Sequence, residues 1–314
     1  MNKINNINVD KKYLISEEEE EEEKGREYND DSNLLPNNNN FEISLKNIDL
    51  IYSKSSPDKN TSNLFTKKKI LKSFDNKDST LKLQKNLIGI SKEMINNILF
   101  ELKGEYRNII KNRNGNYFFS SLIKKCNKEQ RSLIIKELCN TMYEDCNHFF
   151  GTHSLQTLIE TSSNEEEFKL LLSSFNDCYK IAIATMNKYG THIIKKLIQF
   201  IPEGMRIEFN LMFVRLIIIF SRDKFGVSAV EKFITYTKNN IIVEEFLRLI
   251  MDNFINLTEN QYGNYLIQYL LNKWWNKKEG IFFKKEIKSK FRYLMGNKYS
   301  IYICRLFLKL ENNL

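Results

Sequence analysis

Seven small residues recur along this chain at nearly constant spacing: Ser79, Gly115, Gly151, Gly190, Gly226, Gly263 and Ser300. The gaps between them are 36, 36, 39, 36, 37 and 37 residues. A period of roughly 20–50 residues marks a stacked-repeat architecture, because a single unit cannot bury its apolar face alone and must pack on its neighbours. The apolar positions repeat with the same register. Four residues past each marker stand Leu83, Phe119, Leu155, Ile194, Val230, Ile267 and Cys304, and eight past it stand Leu87, Ile123, Ile159, Ile198, Ile234, Leu271 and Leu308. That spacing keeps one face of a helix apolar. A second apolar helix follows the first, as in Phe168, Leu171, Leu172 and Phe175, or Val243, Phe246, Leu247 and Ile250. With 3 prolines and 11 glycines in 314 residues, little interrupts helix. The expected fold is all-α: a superhelical, armadillo-like solenoid of helical hairpins of about 36 residues each.

The polar positions repeat as well. In Asn260-Gln261-Tyr262-Gly263-Asn264-Tyr265-Leu266-Ile267-Gln268, two amides lie four apart and share one helical face, with a tyrosine beside the first. Paired amides present donors and acceptors to the edge of a nucleic-acid base, and a neighbouring ring can stack on it. An aromatic residue precedes the marker in five of the seven units: Phe150, Tyr189, Phe225, Tyr262 and Tyr299.

Gly263-Asn-Tyr-Leu-Ile-Gln268, Phe150-Gly-Thr-His-Ser-Leu-Gln156 and Phe225-Gly-Val-Ser-Ala-Val-Glu-Lys232 resemble the base-reading helix of Pumilio-type (PUF) RNA-binding repeats. The resemblance covers roughly residues 65–314, and the segment 287–310 is similar to the family's C-terminal cap. It implies one base read per repeat, with single-stranded RNA running antiparallel to the chain. Carried over position by position, the edge-reading pairs are Thr80/Gln84, Asn116/Ser120, Thr152/Gln156, Thr191/Lys195, Val227/Glu231 and Asn264/Gln268. The stacking positions are Leu81, Tyr117, His153, His192, Ser228 and Tyr265. The cap unit carries Ile301, Tyr302 and Arg305 and is expected to read no base. Asn264 with Gln268 suits the mixed edge of uracil. Glu231, an acceptor only when ionised, suits the two N–H donors of guanine. The site read by these two units is therefore U-G, in keeping with the family's preference for sites beginning UGU. The chain departs from the family in several places. It has six units and a cap against the usual eight repeats. Lys195 replaces an amide, Val227 and Ser228 replace a polar pair, Ser120 is short, and Leu81 has no ring.

Composition divides the chain near residue 63. Residues 1–63 hold 14 acidic and 8 basic residues, including the run Glu17–Glu23, and are expected to be a disordered, solubilising segment. A sharper reading makes that segment a weak competitor of RNA for the basic surface. Residues 64–314 carry a net +15 and form the expected repeat domain, a charge that attracts a polyanion through counterion release. A degenerate earlier unit near Phe41–Ile51 is a minority reading. The stretch 164–167 lies in the one long gap and reads as a surface loop or helix start, and the apolar stretch 211–220 reads as one buried helix too short for a membrane span. Lysine clusters such as Lys67–Lys69 and Lys277-Lys278 read as solvated faces. The beginning of the chain lacks an apolar signal region, and five cysteines without a C-x-x-C spacing argue for reduced thiols in an intracellular protein. Three histidines without carboxylates or cysteines at ligand spacing give no metal or catalytic site, and no phosphate loop or nucleophile elbow occurs.

The resemblance then implies a cytoplasmic, monomeric messenger-RNA-binding protein without enzymatic activity, cofactor or membrane association. It would bind 3′ untranslated regions and exert post-transcriptional regulation of translation and mRNA stability by recruiting protein co-repressors. Two alternatives remain: a nucleolar PUF-like protein of ribosome assembly with weak base preference, and a protein-interaction scaffold of HEAT or armadillo type. Scaffold repeats of that type run about 40–47 residues and have no reason to repeat amides and rings at fixed offsets.

Overall fold

The computed structural model describes residues 65–312, which lie within one compact unit; residues 1–63 and the region of Phe41–Ile51 fall outside them. Every regular element among the described residues is a helix. The marker residues begin the inner helices: Gly115–Ile123, Gly151–Thr161, Gly190–Phe200, Gly226–Tyr236 and Gly263–Trp274, with Lys77–Lys85 before them and Ile301–Asn312 after. Each packs against the next, so the inner helices form one continuous row.

The units are not two-helix hairpins. In the five units from Gly115 to Gly263, a short third helix lies between the long outer helix and the inner one: Tyr106–Lys111, Met142–Asp145, Cys178–Thr185, Ile217–Ser221 and Phe254–Thr258. The long gap is absorbed here, because Cys178–Thr185 has 8 residues where the others have 4 to 6. The cause of the break lies three residues before each marker. Asn260 Oδ1 accepts the backbone N–H groups of Tyr262 and Gly263, both at 2.9 Å. Asn112, Asn187, Asp223 and Asn297 make the same pair of bonds, and His148 makes it through Nδ1. A side chain thereby satisfies the first free donors of the inner helix and stops the short helix from running on. The turn brings two backbones together. A Cβ on Gly263 would sit 2.6 Å from the Leu257 carbonyl oxygen, so this position excludes a side chain. At the cap, Ser300 fits because its Oγ donates to the equivalent carbonyl, Leu294 O, at 2.6 Å.

Outer helices start at side-chain caps: Ser91, Asn127, Asn164 and Asn239 each accept a backbone N–H from the first turn. The apolar residues four and eight past the markers are buried, with one exception. Leu308 is exposed, since no described unit stacks beyond it. The core is continuous from Phe65 to Phe307. Rings join the last units, with Phe233 against Phe246 at 6.5 Å and Trp274 against Phe283 at 5.9 Å.

Two further readings need correction. The stretch 164–167 is a capped helix start, but Glu167 is fully buried and grips Arg131 of the preceding unit at 2.7 Å. The stretch 211–220 is not one helix: it breaks at Leu216, between Arg206–Arg215 and Ile217–Ser221, and leaves Leu211 and Ile219 exposed.

Candidate nucleic-acid interface

The inner-helix row sorts its three candidate positions by depth. The first position past the marker is buried in five units: Thr80, Asn116, Thr152, Thr191 and Asn264. Val227 is half-buried. The second position is exposed at Leu81, Tyr117, His153, His192 and Tyr265, and half-buried at Ser228. The fifth is half-buried at Gln84, Gln156, Lys195, Glu231 and Gln268. Ser120 alone is closed off, 4% exposed and 3.1 Å from Ser154 Oγ. An exposed ring beside a half-buried polar group occurs in three of the six units, at His153/Gln156, His192/Lys195 and Tyr265/Gln268.

Hydrogen bonds define what each position has left to offer. Asn264 is 1% exposed, and its Nδ2 donates to the carbonyls of Asn260 and Gln261, each at 2.9 Å. Its Oδ1 accepts from Gln268 Nε2 at 2.9 Å. Asn264 therefore has no donor to spare. Gln268 keeps one N–H and its Oε1 for a ligand. Asn116 holds the same two-carbonyl position, on Asn112 and Arg113, but its partner Ser120 is short and engaged. The threonines spend their hydroxyl hydrogens on backbone carbonyls: Thr80 on Ser73, Thr152 on Tyr189, and Thr191 on Phe225. Gln84 reaches into the next unit, donating to Tyr117 O and Ser121 Oγ at 2.9 Å.

Tyr117 and His153, from consecutive units, have ring centroids 5.4 Å apart. Burial lowers the pKa of His153, with help from Lys124, and that of His192, with help from Lys195 and Lys196. Both imidazoles are then neutral at neutral pH and present flat faces. Glu231 lies in the opposite situation. Burial pushes its carboxyl above the usual range, while the Lys195 charge pulls it back. Lys195 is itself lowered by burial and by Lys232, against the opposing pull of Glu231.

Among the described residues no group of three or more metal-ligating side chains occurs, and no helix is long and apolar enough to cross a membrane. All five cysteines are free thiols, and burial raises Cys126 and Cys146 to about 12. His148 serves the turn before Gly151. Reading from the glycines alone missed the acceptor three residues before each marker, although Asn76, Asn112, Asn187, Asp223, Asn260 and Asn297 keep the same period.

The Pumilio-family RNA binding repeat pattern matches residues 106–139 and 253–274. The suppressor protein MPT5 of Saccharomyces cerevisiae is 27% identical over 200 residues, covering 60% of this chain and 23% of that protein. Both the matched segments and this relative make the chain similar to Pumilio-family proteins. Pumilio homolog 11 of Arabidopsis thaliana is 25% identical over 226 residues, covering 70% of this chain and 38% of that protein. The chain thus spans well under half the length of these relatives. The Puf4 RNA binding domain bound to the HO endonuclease RNA 3′ UTR recognition sequence superposes with a TM-score of 0.69 at 21% identity, covering 75% of this chain and 73% of that one. This likeness fixes the fold as a superhelical stack of Pumilio repeats. The matched segments hold the helices starting at Gly115 and Gly263, where the asparagine of the first position grips two carbonyls.

Proposed function

We propose that this Pumilio-like chain binds single-stranded RNA by base sequence. One observation carries the reading: along a single row of six inner helices, five expose the stacking position, and five keep a half-buried polar side chain at the edge position. Each unit takes one base between successive stacking side chains, a contact on the order of 1–3 kcal/mol per base. A fitting edge contact adds about 1–3 kcal/mol of discrimination. The edge positions implied by the resemblance are Thr80/Gln84, Asn116/Ser120, Thr152/Gln156, Thr191/Lys195, Val227/Glu231 and Asn264/Gln268, of which Ser120 is closed off and Lys195 reaches into the next unit. The unit at Gly263 takes uracil and the unit at Gly226 takes guanine. The strongest readers are Gln268, with two free groups beside the fixed Asn264, and Glu231, a half-buried carboxyl near the Lys195 charge. The biological role that follows is regulation of messenger RNA translation and stability in the cytoplasm through 3′ untranslated regions and recruited co-repressors. The Puf4 RNA binding domain, solved with a 3′ UTR recognition sequence bound, supports the RNA-binding part of this reading.

A second reading rests on Ser120 and the threonines, whose polar groups are turned to the protein. These units hold bases by stacking with little edge preference, as a ribosome-assembly RNA-binding protein would. Fluorescence anisotropy at about 150 mM salt, with two short RNAs differing only in a central UGU against ACA, separates the readings. Preference for UGU supports base readout at Gly263 and Gly226. Tight but equal binding favours the second reading, and no binding to either RNA refutes both.

A further inference from the structure

We propose that Lys195 determines specificity in the slot of the following unit: its ammonium donates to guanine O6 while the Glu231 carboxylate accepts guanine N1–H and N2–H. This rests on the RNA-binding reading above and names the residue that completes one of its slots.

The need for such a residue comes from Val227. The first position of the Gly226 unit is apolar, so that helix has no donor there for guanine O6. Glu231 satisfies two of the three groups on guanine's pairing edge and leaves the third unmatched. A polar group without a partner in a half-buried slot is costly, so a second residue has to supply the donor.

Lys195 is placed to do so. It belongs to the previous unit, yet its Nζ lies 3.3 Å from Ser228 Oγ, 33 residues further on. The Ser228 hydroxyl donates to Phe225 O at 2.9 Å, which leaves its lone pairs for the ammonium. Ser228 precedes Glu231 by three residues, one turn earlier on the same helical face. The ammonium is therefore anchored on the face that carries the carboxylate. The two groups feel each other's charge. The neighbouring Lys232 is occupied elsewhere, over the Tyr236 ring at 4.7 Å.

The same geometry removes Lys195 from its own unit. There Thr191 spends its hydroxyl on Phe225 O, and His192 remains as an exposed ring. The Gly190 unit then holds its base by stacking, with weak preference. Adenine is rejected from the Gly226 slot. Its N6 amino group would face the ammonium, and its N1 lone pair would face the carboxylate.

The test compares wild-type protein, Lys195→Met and Lys195→Arg by anisotropy. The RNAs carry each base in turn at the second and third positions of UGU, and 6-thioguanine at the second. Lys195→Met is expected to weaken binding of the guanine RNA about tenfold and to reduce its advantage over adenine, with the third-position profile unchanged. Lys195→Arg is expected to retain guanine preference. Replacing O6 by sulfur weakens wild type about tenfold and leaves Lys195→Met unaffected, a coupling that a purely structural role of Lys195 cannot produce. The proposal is overturned if Lys195→Met alters the third-position preference instead, or if 6-thioguanine costs the same in both proteins. Absence of guanine preference in wild type is a separate result, which removes the RNA reading itself and this proposal with it.

Discussion

Asn264 and Gln268 form one edge-reading pair, yet their substitutions are expected to fail in different ways. Asn264 Nδ2 holds the carbonyls of Asn260 and Gln261 at 2.9 Å, at the turn that starts the inner helix. Its side chain is buried. Asn264→Ala removes both bonds and the one accepted from Gln268, and leaves a small void. At roughly 1 kcal/mol for each net hydrogen bond, the loss is about 3 kcal/mol of stability. The Asn260 carbonyl keeps its bond from the Asn264 backbone N–H, which holds the loss near that figure. Gln268 is half-buried and its one protein bond is to Asn264 Oδ1. Gln268→Ala removes that one bond alone and is expected to cost about 1 kcal/mol of stability. Both variants should lose about tenfold in preference for uracil at one nucleotide. Urea unfolding followed by circular dichroism gives the first quantity and anisotropy the second. Equal destabilisation by the two substitutions would refute the division of roles, as would an Asn264→Ala protein of wild-type stability.

Three other outcomes follow from the geometry. Glu167→Ala strands the buried Arg131, which also loses the carboxylate bridge to the Ser163–Asn164 turn, and should cost about 3–5 kcal/mol in urea unfolding; adding Arg131→Met should recover most of it, and a double variant as unstable as the single would contradict the paired account. Gly263→Ala drives a Cβ to 2.6 Å from Leu257 O, a backbone atom unable to rotate away, and should cost about 1–3 kcal/mol; a variant as stable as wild type counts against the close approach. Burial raises Glu231, so its ionised, guanine-accepting form is present above that raised pKa and is lost as the pH falls through it. Affinity for RNA with guanine in that slot should decline at a higher pH than an exposed carboxylate would produce, more steeply than for RNA with uracil there; parallel anisotropy titrations of the two RNAs would show no difference if Glu231 does not touch the base.

The repeat was legible because the demand for packing recurs with every unit. Ile194, Ile267 and their equivalents must be apolar to join neighbouring units, and they are buried as the period requires. The short helices were hidden because their stop signal is a function rather than a residue type: Asn, Asp and His all supply the acceptor. Glu167 sits in a run of glutamates that reads as solvated surface, and its partner Arg131 is 36 residues away, visible only once the units stack. The depth order of the candidate site follows from helical geometry and could be placed from the register. What each side chain has left to offer could not. The bonds of Ser120 to Ser154 and of Lys195 to Ser228 cross between units and depend on the stacking distance.

The central claim is one base per inner helix, in a fixed row. A complete substitution scan tests it most directly, with each nucleotide of a short UGU-containing RNA replaced by the other three and affinities measured by anisotropy. The account predicts strong discrimination at two adjacent nucleotides, facing Gln268 and Glu231, and weak discrimination at the nucleotide facing Ser120. Equal affinity for every base at every position would contradict it.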